Sequence, residues 1–179
     1  TIYGGPEELA HYLQKVAESE IYGVELFHFG HSYGGHLALK TAASLPTNLR
    51  PRVLMTVDAI SPKDCYLPSG IETFWNKILS HDFSSMLSIS GCTQFPSDFT
   101  NTELRQISAT THWINSWQTD LPWLHSGGSS AAEVNIRLDF GWRTFNAHDD
   151  QAIDKRVLNL FAITWKKFLS TNAQSIGNP

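Results

Sequence analysis

The chain has 179 residues, 41% of them hydrophobic and 17% charged, which places it among globular domains with a real core and not among disordered chains. The formal net charge is −4 and no basic block occurs, which argues against a nucleic-acid or anionic-membrane partner. No apolar run has the length of a membrane span, and the first residues show no signal-peptide pattern.

In chain order, Gly5-Pro6-Glu7-Glu8 reads as a helix start, with proline near the first helical position and acids in the first turn. Leu9, Tyr12, Leu13, Val16 and Ala17 follow at helical spacing, and Tyr22-Gly23 closes the element. Residues 24–29 are short and apolar, the pattern of a buried strand. A helix is expected over about 35–45, ended by Pro46. Residues 52–57 form a second strand with Asp58 at its C-terminal end. Strand, helix, strand is the parallel β-α-β order. The fold class expected is α/β, a mostly parallel sheet with flanking helices in a single domain over 1–179.

Residues 61–108 read as an irregular excursion over the sheet, with prolines at 62, 68 and 96 and a short helix near 71–79. Residues 110–118 alternate well enough for a strand, and 121–130 form a loop with a Gly-Gly-Ser-Ser tip. Residues 134–140 alternate with period 2, a strand with one wetter face. The clearest helix spans 151–169, where Ile153, Val157, Leu160, Phe161, Thr164, Trp165 and Phe168 make one stripe. Cys65 and Cys92 form no metal-site pattern, and nothing calls for a cofactor or metal. The cysteines are as compatible with one bridge as with two separate thiols.

The chemistry concentrates at Gly30-His31-Ser32-Tyr33-Gly34, a G-x-S-x-G between the first strand and the helix after it. A serine hydroxyl is a poor nucleophile unless a base takes its proton and the backbone holds it within reach of base and substrate. A sharp strand-to-helix turn does this, and glycine at both flanks removes side chains that would clash. The Tyr33 N–H, next after the serine, is placed to stabilise the oxyanion of a tetrahedral intermediate.

The base would come from eight histidines. His28, His31 and His36 are tied to the elbow, His11 to the first helix, His81 to the excursion and His112 to a strand. His148, in a loop after the last strand and before the final helix, suits the order Ser…Asp…His, with His125 in reserve. Asp58 and Asp120 both end strands on the correct edge. Asp58 is favoured because it directly follows an apolar strand, whereas Asp149 and Asp150 have a simpler role as N-terminal helix acids.

Residues 4–62, with "FGHSYGG" and "VLMTVDAISP", and the later "NAHDDQAID" resemble the α/β-hydrolase superfamily on its lipase, esterase and thioesterase side. The resemblance implies Ser32 as nucleophile, His148 as general base and acid, and Asp58 as its orienter. It also implies a small-molecule or lipid-like acyl ester or thioester as substrate. Most relatives place the acid one strand later, which keeps Asp120 in play. The chain departs from the pattern upstream: only 31 residues precede Ser32, with no His-Gly loop for a second oxyanion donor unless Gly4-Gly5 supplies it. Missing upstream strands, or a second chain that completes the fold, are therefore expected. Two other readings use the same fold: a non-catalytic binding domain, and an acyltransferase with the same triad.

Overall fold

The computed structural model describes residues 5–19, 25–65, 92–121, 124–140 and 147–176, with 171–176 described by backbone alone. Helix α1 (Pro6–Ser19) leads to strand β1 (Phe27–His31), helix α2 (Tyr33–Ser44) and strand β2 (Val53–Val57). Helix α3 (Asn101–Ser108), strands β3 (His112–Trp117) and β4 (Val134–Arg137), and helices α4 (Ala147–Ile153) and α5 (Lys155–Ile176) follow. The four strands form one sheet in the order β1-β2-β3-β4, and every neighbouring pair is parallel. The α/β class expected from the β-α-β pattern is the observed one, and β1 is an edge strand among the described residues.

Helices cover both faces. Leu39 and Ala42 of α2 and Ile107 of α3 pack on Leu54 and Trp113 on one face. Val157 of α5 packs with Met55, Val57, Ile114 and Leu138 on the other. Both faces of β2 are therefore covered, and all five of its residues are buried. That is why the strand reads as a continuous apolar run instead of an alternating one. Each such Leu or Met removed from water contributes about 1.5–3 kcal/mol before entropy is charged against it. β4 borders less structure and keeps the alternation read from its sequence, with Val134 and Ile136 half-buried and Asn135 and Arg137 exposed.

Several boundaries differ from the sequence expectation. β1 begins at Phe27, not at residue 24, and continues to His31, so the serine follows its last residue directly. Val24, Tyr22-Gly23, Gly4, the proposed helix near 71–79, and His81 lie outside the described residues. In α1 the buried position is Ala10, while Tyr12 is 51% exposed and leaves the expected stripe. The excursion is not irregular to 108: Thr100 and Glu103 build a capping box that starts α3. The final helix is two. Asp154 breaks it, accepting the Arg156 amide at 2.7 Å as an N-terminal cap for α5. Ile153 falls before the break and is 71% exposed. Val157, Leu160 and Phe161 of the stripe pack on the sheet and Thr164 is buried, while Trp165 stays 42% exposed and stacks on Phe27.

Candidate functional site

Strand register assembles the site. His31 pairs with Val57, and Val57 with Ser116, so the next residues, Ser32, Asp58 and Trp117, emerge side by side at the C-terminal edge. The ladder continues one step beyond the strands: the Ser32 amide donates to Val57 O at 2.9 Å, and the Asp58 amide donates to Ser116 O at 2.7 Å. Ser32 O in turn accepts from the amides of Gly35 and Ile60 at 3.0 and 3.2 Å. The serine backbone is thus pinned from β2, from α2 and from the chain leaving Asp58.

Two non-glycine residues among those described have positive φ, and both are at this edge: Ser32 at 57° and Asp58 at 46°. Conformations of this kind cost on the order of 1–3 kcal/mol in an L-residue and persist only where the surroundings hold them. Ser32 stands at the N-cap of α2, yet its side chain does not cap the helix. The hydroxyl is left uncommitted to the role that a serine usually takes there. A Cβ on Gly30 would lie 2.4 Å from Gly34 O, so the upstream flank must be glycine. The downstream expectation is corrected: nothing lies within 4 Å of a Cβ on Gly34. The crowded residue is Gly35, whose Cβ would meet that of Ala59 at 2.8 Å. The close approach is between α2 and the chain after β2, one residue later than the motif suggests. Tyr33 opens α2, and its amide lies outside the helix's own hydrogen-bond ladder.

The structure brings His148 to Asp58. His148 Nδ1 lies 2.7 Å from Asp58 Oδ2, with the histidine side chain 7% exposed and the aspartate fully buried. A carboxylate acceptor at that distance fixes the proton on Nδ1 and leaves the lone pair on Nε2. His148 does not sit in a loop, as its sequence context implied, but on the first turn of the short helix α4. Asp58 is held by more than the histidine: the Ser126 amide donates to Oδ1 at 2.6 Å and Gln118 Nε2 donates to Oδ2 at 2.8 Å. Gln118 also donates to Leu124 O at 3.0 Å, which ties the acid to the loop after β3. Asp120 instead accepts the Phe140 amide and joins the exits of β3 and β4. The reserve histidine, His125, turns its Nδ1 to the carbonyl of Ser126 at 2.5 Å.

Sequence reasoning missed Gln118 and Ser126, and it passed over His31 as mere scaffold. His31 Nε2 donates to the carbonyl of His148 at 2.7 Å, and the two rings lie 4.6 Å apart between centroids. Burial and then the neighbouring His148 lower the His31 pKa from 6.5 to about 4. Its ring is neutral at neutral pH. Further along α2, Tyr33 stacks on His36 at 5.5 Å, and His36 Nε2 bonds Asp98 Oδ2 at 2.9 Å. Burial works against the Asp98 charge, but His36 and Lys40 together hold its carboxyl below its ordinary value.

Cys65 and Cys92 are joined in a disulfide 27 residues apart in sequence. The bridge sits in a buried cluster with Ile60, Leu121, Leu124 and Ala147, directly beside His148 in sequence. Cys92 O accepts the His125 amide at 2.7 Å, so the bridged Cys92 supports the loop that carries Ser126 to Asp58. A cleft of about 940 Å³ lies at the opposite, N-terminal edge of the sheet, lined by Glu25, Arg52, His112 and Glu133 among others. It is remote from Ser32, and its ion pairs are those of a solvated surface. No helix among the described residues is long and apolar enough to cross a membrane.

The sequence matches no known protein family and no curated protein, and the fold matches no solved structure.

Proposed function

We propose that the protein is a serine hydrolase of carboxylic esters or thioesters, acting through an acyl-enzyme on Ser32. The observation that carries this reading is a serine held at φ 57° on the same sheet edge as a buried His148–Asp58 pair. In the reaction, Ser32 Oγ attacks the acyl carbonyl as His148 Nε2 takes its proton. Asp58 keeps the Nδ1 proton in place and stabilises the imidazolium that forms. The Tyr33 amide, at the start of α2, faces the developing oxyanion. His148 returns the proton to the leaving alcohol or thiol. It then activates a water that releases the acid and restores the serine. Gln118 and Ser126 are positioning residues, since they fix the carboxylate and not the substrate.

The test is covalent labelling with a fluorophosphonate, read by mass spectrometry, alongside turnover of a short-chain aryl ester. The expected result is a single adduct on Ser32 that is lost in Ser32→Ala together with turnover. A chain that is folded, disulfide-bonded, unlabelled and inert toward esters would instead support a binding domain that keeps the architecture.

A further inference from the structure

His31, His148 and Asp149 each offer a ligand atom, and these atoms all lie within 4.8 Å of one another. Their second contacts are those of metal-binding histidines. Such a histidine almost always donates its other ring N–H to a carboxylate or a backbone carbonyl, which fixes the tautomer. Both rings do so here: His148 donates through Nδ1 to Asp58, and His31 donates through Nε2 to the His148 carbonyl. The lone pairs are thereby left on His148 Nε2 and His31 Nδ1. Asp149 is exposed, so the cluster opens to solvent. Two imidazoles and a carboxylate form a ligand set for zinc and similar borderline divalent ions, not for calcium or magnesium, which take oxygen ligands.

We propose that His31, His148 and Asp149 form a site for a divalent transition ion of the zinc class, whose occupation takes the His148 lone pair away from Ser32. Binding of the ion is independent of the hydrolase reading, whereas its inhibitory effect rests on that reading. The ion would be a reversible off-switch: no bond of the protein is made or broken other than coordination, and a chelator restores the base.

The experiment is calorimetric titration of the intact, EDTA-stripped and disulfide-bonded chain with zinc chloride, followed by cobalt(II) absorption spectroscopy. One saturable equivalent is expected, with Asp149→Asn and His31→Gln each weakening it more than about tenfold. Ser32→Ala, which removes no ligand, should bind zinc as the parent does. Circular dichroism checks folding. If His31→Gln does not fold, the cobalt spectra of the parent and of Asp149→Asn decide, because Asp149 is exposed and outside the core. Absence of saturable binding, or equal affinity in the parent and the ligand variants, overturns the site. Zinc binding to this cluster in a chain without ester turnover would sink the hydrolase reading and leave the site standing. Ester turnover that saturating zinc does not change would sink the off-switch and leave the hydrolase.

Discussion

Two histidine–carboxylate pairs sit at opposite ends of the same sheet with nearly the same geometry. His148 and Asp58 approach to 2.7 Å at the C-terminal edge, and His112 and Glu133 to 2.6 Å at the N-terminal edge. Distance alone cannot tell them apart, but burial does. Asp58 is wholly buried and accepts three hydrogen bonds, whereas the Glu133 side chain is 62% exposed. In water the attraction is screened and the side chains lose freedom, so an exposed pair contributes little. Out of water, removing one partner strands a charge and costs several kcal/mol. Only the buried pair stands beside a serine whose backbone is strained into place. A site is therefore recognised by what surrounds a contact, and not by the contact itself.

The largest expected effect separates the two ends outright. Ser32→Ala should lower ester turnover by on the order of 10⁴ to 10⁶ while the circular dichroism spectrum is unchanged. Turnover within tenfold of the parent would remove the C-terminal edge from consideration. Asp58→Asn comes next, with a loss near 10⁴-fold, because an amide holds neither the Nδ1–H tautomer nor the imidazolium. Asp120→Asn, whose carboxylate joins strand exits, should change turnover only mildly. Steady-state kinetics on the two variants side by side would expose a reversed ranking.

Reduction of the disulfide tests how much of the site is held from outside. Opening a loop that spans 27 residues should cost about 3–4 kcal/mol on a chain-entropy account, read as a lower midpoint in urea with dithiothreitol. Because Cys92 supports the loop that holds Asp58, turnover should fall with it under conditions where the chain stays folded. Unchanged turnover in the reduced, folded protein would detach the bridge from the site.

Acid should weaken the site's end of the sheet. The His28 ring is held below 6.5 by burial, and the His31 ring is held at about 4 by burial and by His148. Both are neutral when folded, and the unfolded chain binds more protons as pH falls below 6.5. Stability is thus fully present above 6.5 and declines toward pH 4, by up to about 3 kcal/mol for His31. Urea midpoints at pH 7 and pH 5 in chelator-containing buffer check this, and a flat profile would contradict it. The smallest effect belongs to the exposed pair. Glu133→Gln should shift stability by no more than about 0.5 kcal/mol and leave turnover alone. A loss of turnover in that variant would mean that the N-terminal edge takes part in the function.

The sequence by itself determined the features that rest on local sterics and periodicity. Residues 52–57 read as a strand and form one over Val53–Val57, and glycine at the upstream flank of the serine stands where a Cβ would strike the Gly34 carbonyl. The positive φ of Ser32 follows from the same crowding at a strand-to-helix turn. Capping signals at Thr100-x-x-Glu103 and at Asp154 stand in the sequence too, but neither entered the expectation of an irregular 61–108 and a single helix over 151–169. Only the tertiary structure decided which carboxylate meets His148, since Asp58 and Asp120 both follow strands and differ in what the neighbouring segments bring to them. It alone decided that Cys65 meets Cys92, that Gln118 and Ser126 hold the acid, and that His31 lies against His148. Those partners lie up to 117 residues apart, and they are joined by sheet register and by loops crossing one edge. A hydrogen bond between distant side chains leaves no period in the sequence, so nothing local announces it.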